Sequence, residues 1–215
     1  MKLRKKLLIL TVIMTLLGTM LVFAEKSPQH LAAEELVSLS VLAGNDAGEL
    51  LLDQTVTRAE MVVIVCRLLA LEDTAVKNVV TASVFSDVPA NHWAAGYLDI
   101  AKSQGIVNGY PDGTFRPDGE VSYAEVLKML TAACGYLPKA ESFGGYPMGV
   151  MMVAAQNGIT NGISFMQDAP ATRGDVACFT LRTLDLPLLF QTGFGASVEY
   201  QVDPEITLRN RNFKR

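Results

Sequence analysis

After residue 28, apolar residues recur along the chain at three- to four-residue steps, the spacing that gathers them on one face of an α-helix. Leu98, Ala101 and Ile106 mark one such stretch; Val126, Leu127, Leu130 and Ala133 mark another. The pattern predicts first helices over about 29–42, 91–104 and 146–157, and second helices over about 58–71, 123–135 and 173–185. The stretch from Met61 to Leu71 is apolar nearly all round, which puts that helix at the centre of a bundle rather than on its surface. From Pro187 onward the pattern changes, with strand-like alternation over 196–202.

The helical stretches repeat as a unit. Ser40-Val-Leu-Ala-Gly44, Gly105-Ile-Val-Asn-Gly109 and Gly158-Ile-Thr-Asn-Gly162 each close a first helix, and the glycine ending each one suits a left-handed cap. A second helix then opens on a hydroxyl residue with an acid three positions later: Thr57 with Glu60, Ser122 with Glu125, Thr172 with Asp175. That spacing is a capping box, in which the hydroxyl accepts from the third amide and the acid reaches back. Thirteen residues separate Gly44 from Thr57 and Gly109 from Ser122, and ten separate Gly162 from Thr172. Pro111-Asp112-Gly113 marks a turn inside the loop 109–119, where a short hairpin fits, and Glu72 to Val84 reads as a longer connector. One helix pair cannot bury both faces of its apolar helices, so the copies are expected to form one cooperative unit.

The start of the chain has a different character. Lys2, Arg4, Lys5 and Lys6 precede an apolar run from Leu7 to Phe23 and then Ala24, the order of a secretory signal peptide cut at Ala24/Glu25; a retained N-terminal anchor is the alternative. Removing 1–24 leaves 14 Lys and Arg against 22 Asp and Glu, a net charge of −8. Such a balance argues against nucleic acid or an anionic membrane as partner, since both demand a basic face. No later apolar run is long enough to span a bilayer, so no membrane partner is expected after cleavage. Cys66, Cys134 and Cys178 fall inside helical patterns and read as small core hydrophobes rather than as disulfide partners.

No cofactor, metal site or catalytic residue is expected. His30 and His92 lie in no ligand motif, the acids Asp112, Asp118 and Glu120 lack calcium-loop spacing, and no nucleophile constellation can be placed. The protein reads as a non-enzyme, although a carboxylate pair for glycan hydrolysis is not excluded by sequence.

With these residues laid out, the chain resembles the S-layer homology family. Phe85-Ser-Asp-Val88, His92-Trp-Ala94, Gly105-Ile106, Asn108 to Pro117 and Ala124-Glu125 follow the family pattern almost word for word. The first copy keeps Thr57-Arg-Ala-Glu60, and the third keeps Asn161-Gly162 and Thr172-Arg173, with Tyr146 where the family usually has Trp. The resemblance implies an all-α fold: three helix-loop-helix repeats, at 29–72, 85–136 and 142–186, in a pseudo-threefold bundle, followed by a strand-like tail at 187–215. It implies a secreted, cell-surface protein held non-covalently by an anionic, pyruvylated cell-wall polysaccharide bound in grooves between repeats. A self-associating surface-layer component is the alternative, ahead of a wall-active hydrolase.

By the motif match, Arg58, Arg173, Trp93, Gly109 and Gly162 are the residues expected to contact the polysaccharide. Each also has a plainer role open to it. An arginine in a first helical turn serves a carboxylate ligand, a neighbouring acid or solvent; a tryptophan stacks on a sugar or anchors a core; the glycines answer to backbone conformation. Tyr123 stands where the second copy should have arginine, and a phenol cannot replace that fork, so one groove of three is expected to be silent. The tail ends in Arg209, Arg211, Lys214 and Arg215 and reads as a remnant of cargo, a truncated frame or a partner-binding strand.

Overall fold

A computed structural model describes residues 25–193 and 199–213. The signal peptide expected over 1–24 lies outside the described residues, as do Lys214 and Arg215 of the terminal basic cluster. The fold is all-α with one small hairpin. Its elements are α1 (Pro28–Ser38), α2 (Arg58–Leu68), α3 (Glu72–Lys77), α4 (Ala95–Ser103), α5 (Tyr123–Ala133), α6 (Leu137–Ser142), α7 (Met148–Gln156), α8 (Arg173–Leu184), β1 (Pro187–Gln191), β2 (Tyr200–Thr207) and α9 (Leu208–Asn212). Among the described residues no helix is long and apolar enough to cross a membrane.

The first helices stop earlier than their apolar periodicity. Each ends on a left-handed residue, Ser40 (φ 60°), Gly105 (φ 69°) or Gly158 (φ 72°), which opens the five-residue pattern instead of closing it. The next amide then turns back on the helix: Val41 to the Leu36 carbonyl, Ile106 to Ala101 and Ile159 to Ala154, each at 2.9 Å. The apolar residues beyond the turn, Val41, Ile106 and Ile159, are buried, so the periodicity continues in the core after the helix has ended. The same motif at Ala70 and Gly135 ends α2 and α5 and starts the short helices α3 and α6, the first of them inside the expected connector. The loop 109–119 is no hairpin of strands. Tyr110 donates to the Thr114 carbonyl at 2.8 Å and Gly113 to the Tyr110 carbonyl at 3.0 Å, which closes a tight turn.

Packing does not follow chain order. Each first helix lies on the second helix of the preceding copy: α4 on α2, α7 on α5, and α1 on α8, which closes a ring. The second helices form the middle, with α5 touching both α2 and α8. Nearly all of α2 is buried, as its uniformly apolar sequence requires. Cys66, Cys134 and Cys178 are buried free thiols; burial pushes Cys66 and Cys134 up to about 12, which makes them poor nucleophiles.

Where the three second helices begin, the backbone itself closes a triangle. Val56 donates to the Ala171 carbonyl (3.2 Å), Ala171 to Val121 (2.9 Å) and Val121 to Val56 (2.9 Å), and all three side chains are fully buried. The first two amides of each second helix are also satisfied by another copy. Arg58 and Ala59 donate to the carbonyls of Gly119 and Pro117, Tyr123 and Ala124 to Ala169 and Gln167, and Arg173 and Gly174 to Gln54 and Leu52, all at 2.8–3.1 Å. Initial helix amides have no acceptor within their own helix. Here they are the fastening between copies.

The tail closes the opposite end. Leu189 donates its amide to the carbonyl of Cys134, and the Tyr136 hydroxyl donates to the Pro187 carbonyl. Arg209 reaches Asp185 at 2.5 Å and Glu35 at 2.7 Å, Asn212 donates to the Leu68 carbonyl, and Leu208 is fully buried. Of the strand-like stretch expected over 196–202, residues 196–198 lie outside the described residues; β2 starts at Tyr200 and pairs antiparallel with β1, and the contacts above set the tail against elements of all three copies.

A fragment of residues 85–136 alone keeps α4 and α5 but loses α2 and α7, on which they pack, along with every acceptor for the first amides of α5. It is expected to be unfolded or aggregated by circular dichroism and sizing; a cooperative monomeric melt would contradict the ring.

Candidate functional site

The capping positions fix the direction of the side chains that follow them. Thr57 and Ser122 each accept from the third amide while Glu60 and Glu125 reach back, completing two capping boxes. Thr172 accepts from the Asp175 amide at 3.3 Å. The Asp175 carboxylate, one methylene shorter than glutamate, instead accepts from the Tyr123 hydroxyl at 2.6 Å. The residue after each cap, Arg58, Tyr123 or Arg173, therefore leaves its own helix and enters the next copy.

Arg58 is buried at 6% exposure. Its Nε donates to the Phe115 carbonyl at 2.7 Å and its Nη1 to Glu125 Oε1 at 2.6 Å. The guanidinium lies 4.7 Å from the Tyr110 ring centre and 4.5 Å from that of Phe115. Glu125 also accepts from the Tyr110 hydroxyl and the Ser122 amide. Burial works to raise its pKa and is outweighed by the Ser122 amide, the Arg58 charge and the hydroxyls of Tyr110 and Ser122, so the net shift is downward. Around this pair lies a groove of about 370 Å³, walled by Gly109, Lys128, Met129 and Tyr146. Gly109 (φ 75°) has no room for a side chain, because a Cβ would stand 2.5 Å from the Phe85 ring and 2.8 Å from the Thr114 carbonyl oxygen. The Lys128 ammonium sits 5.3 Å from the centre of the Tyr146 ring.

Arg173 repeats the arrangement one step round the ring. Its Nε donates to the Leu50 carbonyl at 3.0 Å, the position matching Phe115, and its Nη2 donates to the Ala43 carbonyl. It walls a groove of about 250 Å³ with Gly44, Glu60, Arg67 and Trp93. Among the described residues no ion pair reaches Arg173, in contrast to Arg58. Burial lowers its pKa and Arg67 adds to that, while Glu60 opposes it. The expectation that Trp93 stacks on a ligand or anchors a core is narrowed by its 59% exposure: the indole stands out beside the groove.

The third position is filled. Tyr123 stacks on Phe165 at 4.6 Å, meets Phe179 edge-on at 6.1 Å and is 6% exposed. The phenol packs where a guanidinium would have left polar space, and its hydroxyl takes the capping acid.

Of the residues expected at the site, Arg58 and Gly109 share one groove, and Arg173 and Trp93 share the other. Gly162 (φ 71°) lies on an exposed loop and lines neither of these two. Gly44 and Tyr146 belong to the repeat patterns but are not among the residues expected at the site, although the repeat offset marks both: Gly44 is 65 residues before Gly109, and Tyr146 is 53 residues after Trp93. Lys128, Arg67 and Tyr110 carry no such signal, because they become neighbours of the grooves only when the ring closes.

Removing Arg58 leaves the part-buried Glu125 carboxylate without its charge partner. Arg58→Ala is expected to destabilise the protein by about 3 kcal/mol, measured by denaturant unfolding. Because the pKa of Glu125 is depressed by folding, its contribution is present above the ordinary glutamate value of about 4.3 and lost as pH falls below it. The melting temperature should fall as pH drops below the ordinary glutamate range and on through the depressed folded-state value, and Glu125→Gln should flatten that decline.

Residues 84–127, which hold most of the second copy, match the S-layer homology domain model. The chain is 33% identical over 175 residues to the middle cell wall protein of Brevibacillus brevis, covering 81% of this chain and 16% of that protein. It is 32% identical over 165 residues to a cell surface protein of Thermoanaerobacter kivui, covering 77% and 21%. It is 40% identical over 85 residues to a cellulosome-anchoring protein of Acetivibrio thermocellus, covering 39% and 19%. The chain thus spans about a fifth of the length of each of these relatives. A domain match centred on the best-kept copy, beside cell-surface relatives similar over most of the chain, places residues 84–127 in the S-layer homology domain family.

Proposed function

We propose that this chain is the wall-attachment part of a secreted bacterial surface protein. In this reading the segments 29–72, 85–136 and 142–186 are S-layer homology repeats, and the two arginine grooves hold an anionic, pyruvylated polysaccharide of the cell wall. The observation that carries it is the double construction of one groove. Arginine from one copy, a glycine loop from the next and an aromatic ring from the third meet at Arg58, Gly109 and Tyr146, and again at Arg173, Gly44 and Trp93. A planar cation beside an aromatic face suits a carboxylate-bearing sugar, the fork taking the acid and the ring taking the apolar face. The names of the relatives, a cell wall protein and an anchoring protein, support attachment as the role. The reading assigns no catalytic step.

The grooves differ in charge. Arg58 is already paired with Glu125, whereas Arg173 donates to carbonyl oxygens and keeps its charge for a ligand. A charge-assisted contact of this kind contributes about 1.5 to 3 kcal/mol. Arg173→Ala is therefore expected to weaken sedimentation with purified sacculi by roughly tenfold or more. Arg173→Lys should fail nearly as badly, because it keeps the charge without the fork. Tyr123→Phe, which removes only a hydroxyl from the filled position, should bind as the parent does. Unchanged binding by a folded Arg173→Ala variant, or equal binding to sacculi stripped of polysaccharide, would overturn the proposal. N-terminal sequencing of the wall-extracted protein should return a start near Glu25.

A further inference from the structure

Trp93 also lines a second cavity. Beside the Arg173 groove, and sharing the indole as a wall, lies a depression of about 230 Å³ bounded by Val76, Asn78, Val80, Asn91 and His92. We infer that this depression is a second sugar subsite, taking a neutral unit of the polysaccharide next to the charged unit held at Arg173. The inference rests on the function proposed above.

Three observations carry it. First, charge is divided between the two cavities: Glu60, Arg67 and Arg173 line the groove, while no Asp, Glu, Lys or Arg lines the depression. Beside the indole, its polar side chains are two carboxamides, an imidazole and the Tyr97 phenol, whose hydroxyl donates to Glu72. Asn78 uses its amide nitrogen on Asp99 at 2.7 Å, leaving its carbonyl oxygen, and His92 accepts the Ala94 amide on Nδ1, leaving Nε2. Neutral donors and acceptors beside valines and an indole suit the hydroxyls and C–H face of an uncharged sugar ring.

Second, Trp93 is 59% exposed and Val76 67% exposed, so both cavities open beside one uncovered ring. A polymer seated in the groove has its neighbouring unit beside a cavity that shares Trp93 as a wall.

Third, the walls come from extra chain. Residues 69–94 join α2 to α4, against 134–147 for the matching connection from α5 to α7. The longer connection supplies Val80, Ala90 and Asn91 to the depression. Gly96 lets α3 approach, because a Cβ there would stand 2.2 Å from the Ala75 carbonyl oxygen.

Trp93 is the single tryptophan of the chain, so its fluorescence reports both cavities directly. The test titrates the full protein with purified wall polysaccharide, partially hydrolysed and sized into single units and fragments of two or more. Longer fragments should bind at least tenfold more tightly than the best single unit. A Val76→Asp, Asn91→Ala double variant, altered at surface positions, should lose most of that gain and keep the single-unit affinity, while Arg173→Ala should weaken both. Equal affinity of the parent for single units and longer fragments, or an undiminished gain in the double variant, would overturn the subsite and leave the Arg173 groove standing. No binding of any fragment by the parent would overturn the groove together with it.

Discussion

Three backbone hydrogen bonds hold the rest of this molecule in relation. Val56, Ala171 and Val121 each give an amide to the next and take one from the last, at the point where three central helices begin. A buried amide without a partner costs free energy comparable to a lost hydrogen bond, so the triangle forms whole or leaves a group stranded in a dry core. Everything nearby inherits its order. The capping residues follow directly, the first helical amides find acceptors in another copy, and the next side chain is aimed across the joint. A groove at that joint belongs to no single copy.

This cyclic logic explains what was readable in advance. Helix existence, the apolar face of each helix and the caps at Thr57, Ser122 and Thr172 are local matters of periodicity and side-chain chemistry, and they stand in the residues themselves. Partner choice does not. That α1 lies on α8, and that Arg58 meets Glu125 rather than an acid of its own copy, follows from ring closure among segments far apart in sequence. The first helix of the first copy, expected to run to about residue 42, stops at Ser38 for a related reason. Val41 and Ile106 continue the apolar rhythm because they are buried, although a left-handed residue has already stopped the helix. Ser40 fills that position in the first copy where glycine marks it in the others, so composition alone hides the turn.

The candidate site was legible in its arginines and incomplete elsewhere. Motif matching identified Arg58 and Arg173 as equals, yet their surroundings separate them: one is enclosed by two aromatic rings and a carboxylate, the other bonded to carbonyl oxygens alone. Tyr123 shows the converse. Its departure from arginine was plain in the sequence, but the stack on Phe165 and the bond to Asp175 that make the phenol useful there are properties of the assembled ring.

Two grooves on one rigid ring also change how long the protein stays where it lands. On the proposed reading, release of polymer from one groove leaves the other engaged, and the free groove meets nearby polymer at a high effective concentration set by the fixed spacing between them. Linked sites of this kind reach an avidity about 10² to 10⁴ times either single affinity without any new contact. Residence on a wall would then be governed by the chance that both grooves are empty at once, so modest affinity at each is compatible with lasting retention.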